Sequence, residues 1–393
     1  MNILAISSIL PIKDIVKSND FLIQIYLYYK HKFPEDNITI IKPIKLEFNP
    51  IKILRKETPF QKVKSDFSGK IGDFEVIIIP FFSSWSLRNL HSILTRSIYV
   101  LNRKKINNLI VNKKINLIHA QYLVPDGLLA FYLHRKCNIP YLLTTHNERF
   151  YFDHIFSRRI VLKIFKNASR VMPINYSNAT YFKEIGLKKI NPYPLGFESN
   201  FLRKPKKISS DPVKIITVAE LIKLKNIDKV IIAISHLIRK YSLTYTIIGQ
   251  GKEEENLHRL VDNLSLSASV KFIRYIPHDK IADEIYNYDI FIMPSYFETF
   301  GRVYLEAMAM GIPIICAKNS GIYGFFRERI EGLSVNHNNI DEIEEALEYL
   351  ILNPEKRIQM GIEGKNLVQN YTWENVAKNL HTNYSDVIKN FSK

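Results

Sequence analysis

Two glutamates lie eight positions apart in the segment MPSYFETFGRVYLEAMAMGIPIICA, residues 293–317. We predict that Glu298 lies in a turn between an apolar strand and a helix, and that Glu306 lies inside that helix. A carboxylate accepts hydrogen bonds from vicinal hydroxyls such as those of a ribose. A helix that begins near Gly301 also presents free backbone N–H groups, which attract a phosphate or diphosphate. The segment therefore predicts two carboxylates that hold separate pieces of one nucleotide-linked ligand.

Other chemistry has less support in the residues. Taken singly, Glu298 could complement a helix N-terminus and Glu306 could form a surface ion pair. The chain shows no Ser/His/Asp or Cys/His constellation for nucleophilic catalysis. It contains no Asp-x-Asp sequence, and its histidines lack metal-ligand spacing, so we expect no bound metal.

Short apolar runs alternate with helical stretches along the chain, which indicates parallel strands joined by crossover helices. The first series of predicted strands is NILAIS, ITIIKP, EVIIIPF, LIHAQY, YLLTTH and RVMPIN. The second series is KIITVAE, TYTIIGQG, VKFIRYI, IFIMPS and IPIICA. The pattern predicts an α/β protein with two doubly wound sheets. Ligands bind outside the carboxyl ends of such strands, so two facing sheets would enclose a cleft.

A stretch rich in Pro, Lys and Ser separates the two series, and we place the domain boundary near residues 196–212. Residues 227–239 and the tail WENVAKNLHTNYSDVIKNF show helical spacing of apolar residues. The length of 393 residues with 46% hydrophobic residues also favours two domains. The two cysteines, Cys137 and Cys316, have no partner pattern, which suits a reducing compartment.

The net charge of +17 is concentrated in one part of the chain. Residues 1–204 hold 32 Lys/Arg against 14 Asp/Glu, and the remainder holds 23 against 24. This asymmetry favours a polyanionic partner for the first half, such as an anionic membrane surface, a phosphorylated acceptor or nucleic acid, with a solvated basic surface as the alternative. The N-terminal segment predicts a strand rather than a leader peptide, and no run is long enough to cross a bilayer.

The segment 293–317 resembles the signature of glycosyltransferase family 4, through Pro-Ser, the two glutamates, Phe300 and Gly301 between them, and EAMAMGIP after them. The resemblance implies a GT-B fold, with two facing Rossmann-like domains and an interdomain cleft. Residues 1–200 would form the acceptor-side domain and residues 205–374 the nucleotide-sugar-binding domain. The final helix, about residues 375–393, would pack back on the first domain.

Several donor-side residues follow from the same resemblance. Lys225 matches a lysine that faces the diphosphate, whereas Glu220 stands where the family presents an arginine, and Lys223 could compensate. Gly249 and Gly251 resemble a turn near the donor, although a tight turn alone would explain them. The backbone of Tyr275 and Ile276 occupies the position that contacts the nucleobase.

In the first domain, the segment TTHNER resembles the strand end whose histidine lies beside the donor sugar, which makes His146 a candidate. His119 also falls on a family pattern but ranks lower, because Gln121 stands where a second histidine is common. The N-terminal loop lacks the glycines of the family. Lys13, Lys17 and Asn19 could supply side-chain contacts there instead.

The resemblance implies transfer of a sugar with retention of configuration, by same-face attack and without a metal or other cofactor. Lys225 would offset the diphosphate charge, Glu298 would orient sugar hydroxyls, Glu306 would hold the ribose and His146 would border the sugar. The donor would be UDP- or GDP-linked, and the acceptor a glycan or a polyprenyl-diphosphate-linked sugar in cell-surface polysaccharide synthesis. We expect a cytoplasmic protein, peripheral on the inner face of the membrane.

Two other functions stay open on the residues. A nucleotide-sugar epimerase of the same fold would bind the same donor without needing an acceptor. A nucleic-acid-binding protein would use the basic half, but the basic residues are scattered and no such motif is present, so we expect no nucleic acid.

Overall fold

The structure is a computed structural model that describes residues 1–10, 21–47, 69–71, 73–83, 97–148, 152, 155–204 and 211–391. The chain divides into two units, each built on its own sheet. Unit 1 comprises Met1–Ile174, Asn178–Tyr193 and Ala377–Lys393, and unit 2 comprises Asn175–Ser177 and Pro194–Val376. Part of the predicted boundary, residues 205–210, lies outside the described residues.

The sheet of unit 1 has seven strands in the order β3-β4-β2-β1-β5-β6-β7, and only β3 is antiparallel to its neighbour. Its strands are β1 (Asn2–Ile6), β2 (Asn37–Glu47), β3 (Gly69–Ile71), β4 (Phe74–Ser83), β5 (Leu117–Ala120), β6 (Tyr141–Thr145) and β7 (Arg170–Pro173). Strands β5 and β6 are buried at every position. Continuous apolar runs of this kind are expected where helices cover both faces of a parallel sheet.

The helices of unit 1 surround a core formed by the apolar residues of the central strands and their crossover helices. They are α1 (Phe21–Lys32), α2 (Ser97–Asn112), α3 (Leu128–Cys137), α4 (Ile155–Asn167), α5 (Tyr176–Glu184) and α12 (Trp373–Phe391). From Ala377 onward α12 belongs to this unit. Its residue Tyr384 is fully buried and lies 2.6 Å from Nδ1 of His119 through its hydroxyl.

The sheet of unit 2 has six parallel strands in the order β10-β9-β8-β11-β12-β13. The strands are β8 (Val213–Val218), β9 (Leu243–Ile248), β10 (Val270–Ile273), β11 (Ile290–Met293), β12 (Ile314–Ala317) and β13 (Gly332–Val335). The helices are α6 (Ile227–Leu237), α7 (Glu254–Asn263), α8 (His278–Ile285), α9 (Arg302–Ala309), α10 (Ile340–Leu352) and α11 (Pro354–Val368).

The sequence-based prediction of two doubly wound sheets is confirmed, and all eleven predicted strands are present. The prediction missed β3 and β13, which have three and four residues. Both begin with glycine and lack a continuous apolar run, which is the signal that predicts a buried strand. Among the described helices, none has the length and apolarity needed to span a membrane.

Candidate functional site

The candidate site lies where the strand order of unit 2 reverses. Strands β9 and β10 lie on one side of β8, whereas β12 and β13 lie on the far side of β11. The connections after β8 and β11 therefore leave the sheet in opposite directions. A crevice forms at the carboxyl ends of two such strands, and this is the usual ligand site of an open α/β sheet.

Backbone contacts hold the two connections of this crevice together. The loop after β8 contains a short 3₁₀ helix, Lys223–Lys225. The N–H of Tyr296, in the turn after β11, donates to the carbonyl of Leu224 at 2.8 Å. Asn226 donates its side-chain amide to the carbonyl of Pro294 at 2.9 Å and adopts a left-handed φ of 52°, which asparagine tolerates better than most residues. Lys225 is thereby fixed opposite the turn.

Lys225 and Glu298 form an ion pair across the crevice. The Nζ atom of Lys225 donates to Oε2 of Glu298 at 2.5 Å, and each side chain is 16% exposed. The backbone of Glu298 is also fixed, because its N–H donates to Oγ of Ser320 at 2.8 Å and its carbonyl accepts from Gly321 at 3.0 Å. Within the described residues, no side chain donates or accepts a capping hydrogen bond at the start of α9. Glu298 therefore does not cap this helix, which was the alternative role considered for it.

Gly301 allows the turn to enter α9. Its φ is 78°, and a Cβ atom there would lie 2.6 Å from the ring of Tyr304. Both the backbone conformation and the lack of space therefore require glycine. Phe300, just before it, is fully buried and packs edge-on against Phe325 at a centroid distance of 5.4 Å. The side chain of Phe300 thus anchors the turn, and only its backbone remains available to a ligand.

Glu306 is buried in α9 and faces a histidine that the sequence analysis missed. Nε2 of His278, the first residue of α8, lies 3.4 Å from Oε1 of Glu306. This hydrogen bond raises the pKa of His278 above its ordinary value, and the charge of Glu198 adds to the rise, whereas burial and the Arg302 cation oppose it. Glu306 is therefore paired within unit 2 rather than at the surface. No local signal identifies His278, because the contact joins residues from two helices.

Two groups of residues within the described ranges bring three histidine or carboxylate ligand atoms within 4.8 Å of one another. One contains Glu198, His278 and Glu306, and the other contains Glu35, Asp36 and His381. In the first group the nearby Arg302 would repel a metal cation. The absence of a required metal stays a prediction from the sequence.

The glycines of the β9–α7 turn pack against the loop after β8. A Cβ atom on Gly249 would lie 1.8 Å from the carbonyl oxygen of Ala219, and one on Gly251 would lie 2.3 Å from that of Leu221. The Leu221 N–H also donates to the carbonyl of Gln250 at 3.0 Å. These glycines therefore position the loop that carries Lys225. Any direct contact of theirs with a donor remains a prediction.

The remaining donor-side candidates lie on the same side of the sheet but are less constrained. Glu220 and Lys223 are exposed. The carboxylate of Glu220, which stands where the family presents an arginine, is therefore not buried in the site. Tyr275 is exposed and Ile276 is half-buried, in the connection from β10 to α8. This connection leads directly to His278 and hence to Glu306.

The first-unit candidate His146 is a buried residue at the carboxyl end of β6. Its ring stacks on Tyr122 with centroids 4.0 Å apart and an interplanar angle of 3°. Burial lowers the pKa of His146 to about 3, so the ring is neutral at physiological pH. His119 is also buried, contacts Tyr384 and Thr144 through its two nitrogens, and has a pKa lowered to about 3 by burial. His119 is therefore a satisfied core histidine.

Two buried carboxyl groups of unit 1 were missed by the sequence analysis. Asp126 accepts hydrogen bonds from the N–H of Ser8 at 3.0 and 3.1 Å, and burial raises its pKa to about 7. Glu148 accepts from the N–H of His146 at 2.6 Å, and burial raises its pKa to about 8. Nothing in the local pattern signals their burial. Lys13, Lys17 and Asn19 lie outside the described residues.

Comparisons with known proteins agree with this geometry. The family model described as "Glycosyl transferases group 1" matches residues 198–367, which include the whole sheet of unit 2. The chain is 24% identical over 305 residues to an uncharacterized glycosyltransferase of Methanocaldococcus jannaschii, covering 74% of this chain and 81% of the relative.

Solved structures resemble the chain over nearly its full length. The sucrose-phosphate synthase of Thermosynechococcus elongatus has a TM-score of 0.71 at 16% identity, covering 99% of each chain. Anabaena HepE in complex with UDP has a TM-score of 0.70 at 15% identity, covering 98% of this chain and 100% of the other. These similarities confirm the predicted GT-B fold class. Residues 198–367 are thus similar to the glycosyl transferases group 1 family model.

Proposed function

We propose that this protein is a retaining, metal-independent glycosyltransferase that moves a sugar from a nucleotide-sugar donor to a glycan or lipid-linked acceptor. The observation that carries the proposal is the arrangement of Lys225, Glu298 and the uncapped start of α9 at the β8/β11 crevice. A cation beside free helical N–H groups stabilises the negative charge that develops on a departing diphosphate. The match of residues 198–367 to the glycosyl transferases group 1 family model supports the same reaction class.

Each side chain has a distinct part in this proposal. Lys225 offsets the diphosphate charge, Glu306 accepts hydrogen bonds from the ribose hydroxyls, and Glu298 orients the hydroxyls of the transferred sugar. Glu298 is held in place for this role, because Lys225 donates to one of its oxygens. His146 borders the sugar as a neutral hydrogen-bonding group, since burial keeps its ring uncharged.

The acceptor and the location of the enzyme belong to the proposal as well. The excess of basic residues lies in the first 204 residues, the part that we assign to the acceptor. A polyprenyl-diphosphate-linked glycan offers both a diphosphate and an anionic membrane around it. We therefore place the enzyme at the cytoplasmic face of the membrane, acting in the synthesis of a cell-surface polysaccharide.

A panel of UDP- and GDP-linked sugars tests the donor assignment by thermal shift. A ligand that binds only the folded state raises the unfolding temperature in proportion to its saturation. We test UDP-sugars first, because a solved structure that shares this fold is a complex with UDP-glucose. Stabilisation by a nucleotide-sugar, followed by transfer to an acceptor, is the expected result. Conversion of the donor without any acceptor would instead identify an epimerase.

The substitution Glu306→Gln tests the site itself. The amide keeps the size of the side chain but loses one strong acceptor for the ribose, so we expect the transfer efficiency to fall about 10- to 100-fold. Glu345→Gln, at an exposed position of α10, is the matched control and should leave transfer unchanged. Unaltered transfer in Glu306→Gln would refute the ribose role. In a separate experiment, loss of transfer when a chelator is added, with recovery when a divalent ion is restored, would refute metal independence.

A further inference from the structure

The outer face of α2 carries an unusual set of exposed apolar side chains. Val100, Leu101 and Val111 are 71%, 51% and 73% exposed. Val100 and Val111 are separated by about three helical turns and so lie on nearly the same line along the helix. Lys104 lies between them on the same face and is exposed. Single exposed aliphatic residues are common, whereas three along one side of a helix mark a candidate interaction surface.

The opposite face of α2 already provides the packing that holds the helix in unit 1. Its buried residues are Ile98, Asn102, Ile106, Leu109 and Ile110. Ile98 and Ile106 belong to the hydrophobic core, and Asn102 donates to the carbonyl of Pro80 at 2.8 Å. The exposed valines and leucine are therefore not needed to attach the helix to its own sheet.

The charge on α2 itself has one sign, because the helix contains three cations and no Asp or Glu. Asp73 and Glu75 lie near its C-terminal end, beside Lys113 and Lys114. Arg103, Lys104 and Lys105 are exposed within α2, and Lys114 is exposed just after it. Lys113 pairs with Glu75 at 2.7 Å, and Lys105 donates to the carbonyl of Ile78 at 3.1 Å, so Arg103, Lys104 and Lys114 are the cations considered for an anionic partner. Aliphatic residues interspersed with cations are typical of a helix that lies in the interface of a bilayer.

We infer that the outer face of α2 docks on an anionic lipid surface, with Val100, Leu101 and Val111 entering the headgroup region and the surrounding cations contacting lipid phosphates. A nucleic acid would satisfy the cations but would leave the three aliphatic side chains against a charged backbone. A bilayer satisfies both, because the boundary between headgroups and acyl chains offers anions beside apolar groups. The inference extends the membrane location proposed above, but its support and its test do not depend on sugar transfer.

Vesicle co-sedimentation of the full chain tests the inference. We expect the protein to bind phosphatidylcholine vesicles that contain one third phosphatidylglycerol, and to bind pure phosphatidylcholine at least about 10-fold more weakly. High salt should weaken binding to the anionic vesicles, because it screens the cations. No binding of the wild type to anionic vesicles at low salt, or binding to DNA or RNA in its place, would overturn the inference.

Matched variants separate the apolar and the ionic contributions. The double substitution Val100→Ser and Val111→Ser should reduce vesicle binding about 10-fold at both salt concentrations, because it removes the inserted groups. Lys104→Glu should reduce binding mainly at low salt. The controls are Leu352→Ser and Lys356→Glu, which change an exposed leucine and an exposed lysine in unit 2. Equal losses in the controls and the α2 variants would contradict the inference.

A fluorescence measurement locates the contact directly. Val100→Trp should show a blue-shifted emission when anionic vesicles are added, since its ring leaves water for the interface. Leu352→Trp should show no shift. Thermal unfolding of each variant verifies that the fold is intact, and nucleotide-sugar binding by thermal shift shows whether the donor proposal stands independently of the membrane result.

Discussion

The two sheets of this protein each contain a point where the strand order reverses, and a carboxylate lies at both. In unit 1 the reversal falls between β1 and β5, where Asp126 accepts hydrogen bonds from the backbone of Ser8. In unit 2 it falls between β8 and β11, where Glu298 accepts from the ammonium of Lys225. The same topology thus produces a contact between the same two connections of each sheet.

The two carboxylates differ in their surroundings. Asp126 is fully buried, and burial raises its pKa to about 7. Its neighbour Glu148 is also buried and has a pKa of about 8. Glu298 keeps some contact with solvent and has the ammonium of Lys225 at 2.5 Å. The comparison teaches that the strand reversal creates the crevice, whereas the residues around it decide whether its carboxyl group is desolvated or paired with a cation.

The largest effect should come from removing the cation of the unit 2 crevice. We expect Lys225→Ala to lower the transfer rate at least about 100-fold, because a charged group that stabilises a departing diphosphate is lost. Lys223→Ala, an exposed neighbour in the same loop, should change the rate by less than about 3-fold, as a screened surface charge does. Steady-state kinetics with a labelled donor measure both. Similar losses of transfer rate in the two variants would mean that the overall positive charge of the loop, rather than the position of Lys225, stabilises the departing diphosphate.

A smaller effect should come from the neutral histidine of unit 1. We expect His146→Ala to lower transfer about 10-fold, since one hydrogen bond to a sugar hydroxyl is lost. His119→Ala is the comparison variant, because His119 is equally buried and neutral but is satisfied by Tyr384 and Thr144. It should reduce stability and leave the rate per folded molecule unchanged. If only His119→Ala lowered the transfer rate, His119 rather than His146 would be the histidine beside the sugar.

The smallest effect concerns the pH dependence of stability in unit 1. The pKa of Glu148 is raised from its ordinary value to about 8, so the folded chain keeps a proton that the unfolded chain releases above about pH 4.5. The free energy of unfolding therefore falls as the pH rises toward 8, by at most about 1.4 kcal/mol per pH unit for one group. Chemical denaturation at pH 7 and pH 8.5 should show a loss of about 1 kcal/mol.

The substitution Glu148→Gln should remove most of this loss, because the amide is neutral at every pH. The exposed control Glu345→Gln should retain it. If the free energy of unfolding depended on pH to the same extent in both variants, the pKa of Glu148 would not be raised by burial. The contrast between the buried carboxyl groups of unit 1 and the ion pair of unit 2 would then disappear.

Much of the backbone could be predicted from the sequence. The eleven predicted strands each contain a short, largely apolar segment, as expected where helices cover both faces of a parallel sheet. The turn and helix around Gly301 were also predicted, since glycine at a left-handed φ is a local requirement of the chain. The positions of Glu298 and Glu306 on that turn and helix followed from the same local pattern.

The partners and charges of the site residues were decided only by the tertiary structure. Lys225 and Glu298 are 73 positions apart, and His278 and Glu306 are 28 positions apart, so no local pattern joins them. The raised pKa values of Asp126 and Glu148 depend on desolvation by residues from several elements. The sequence by itself determined which backbone elements form, because that depends on neighbouring residues. Burial and pairing depend on distant residues, and these determine which groups carry charge.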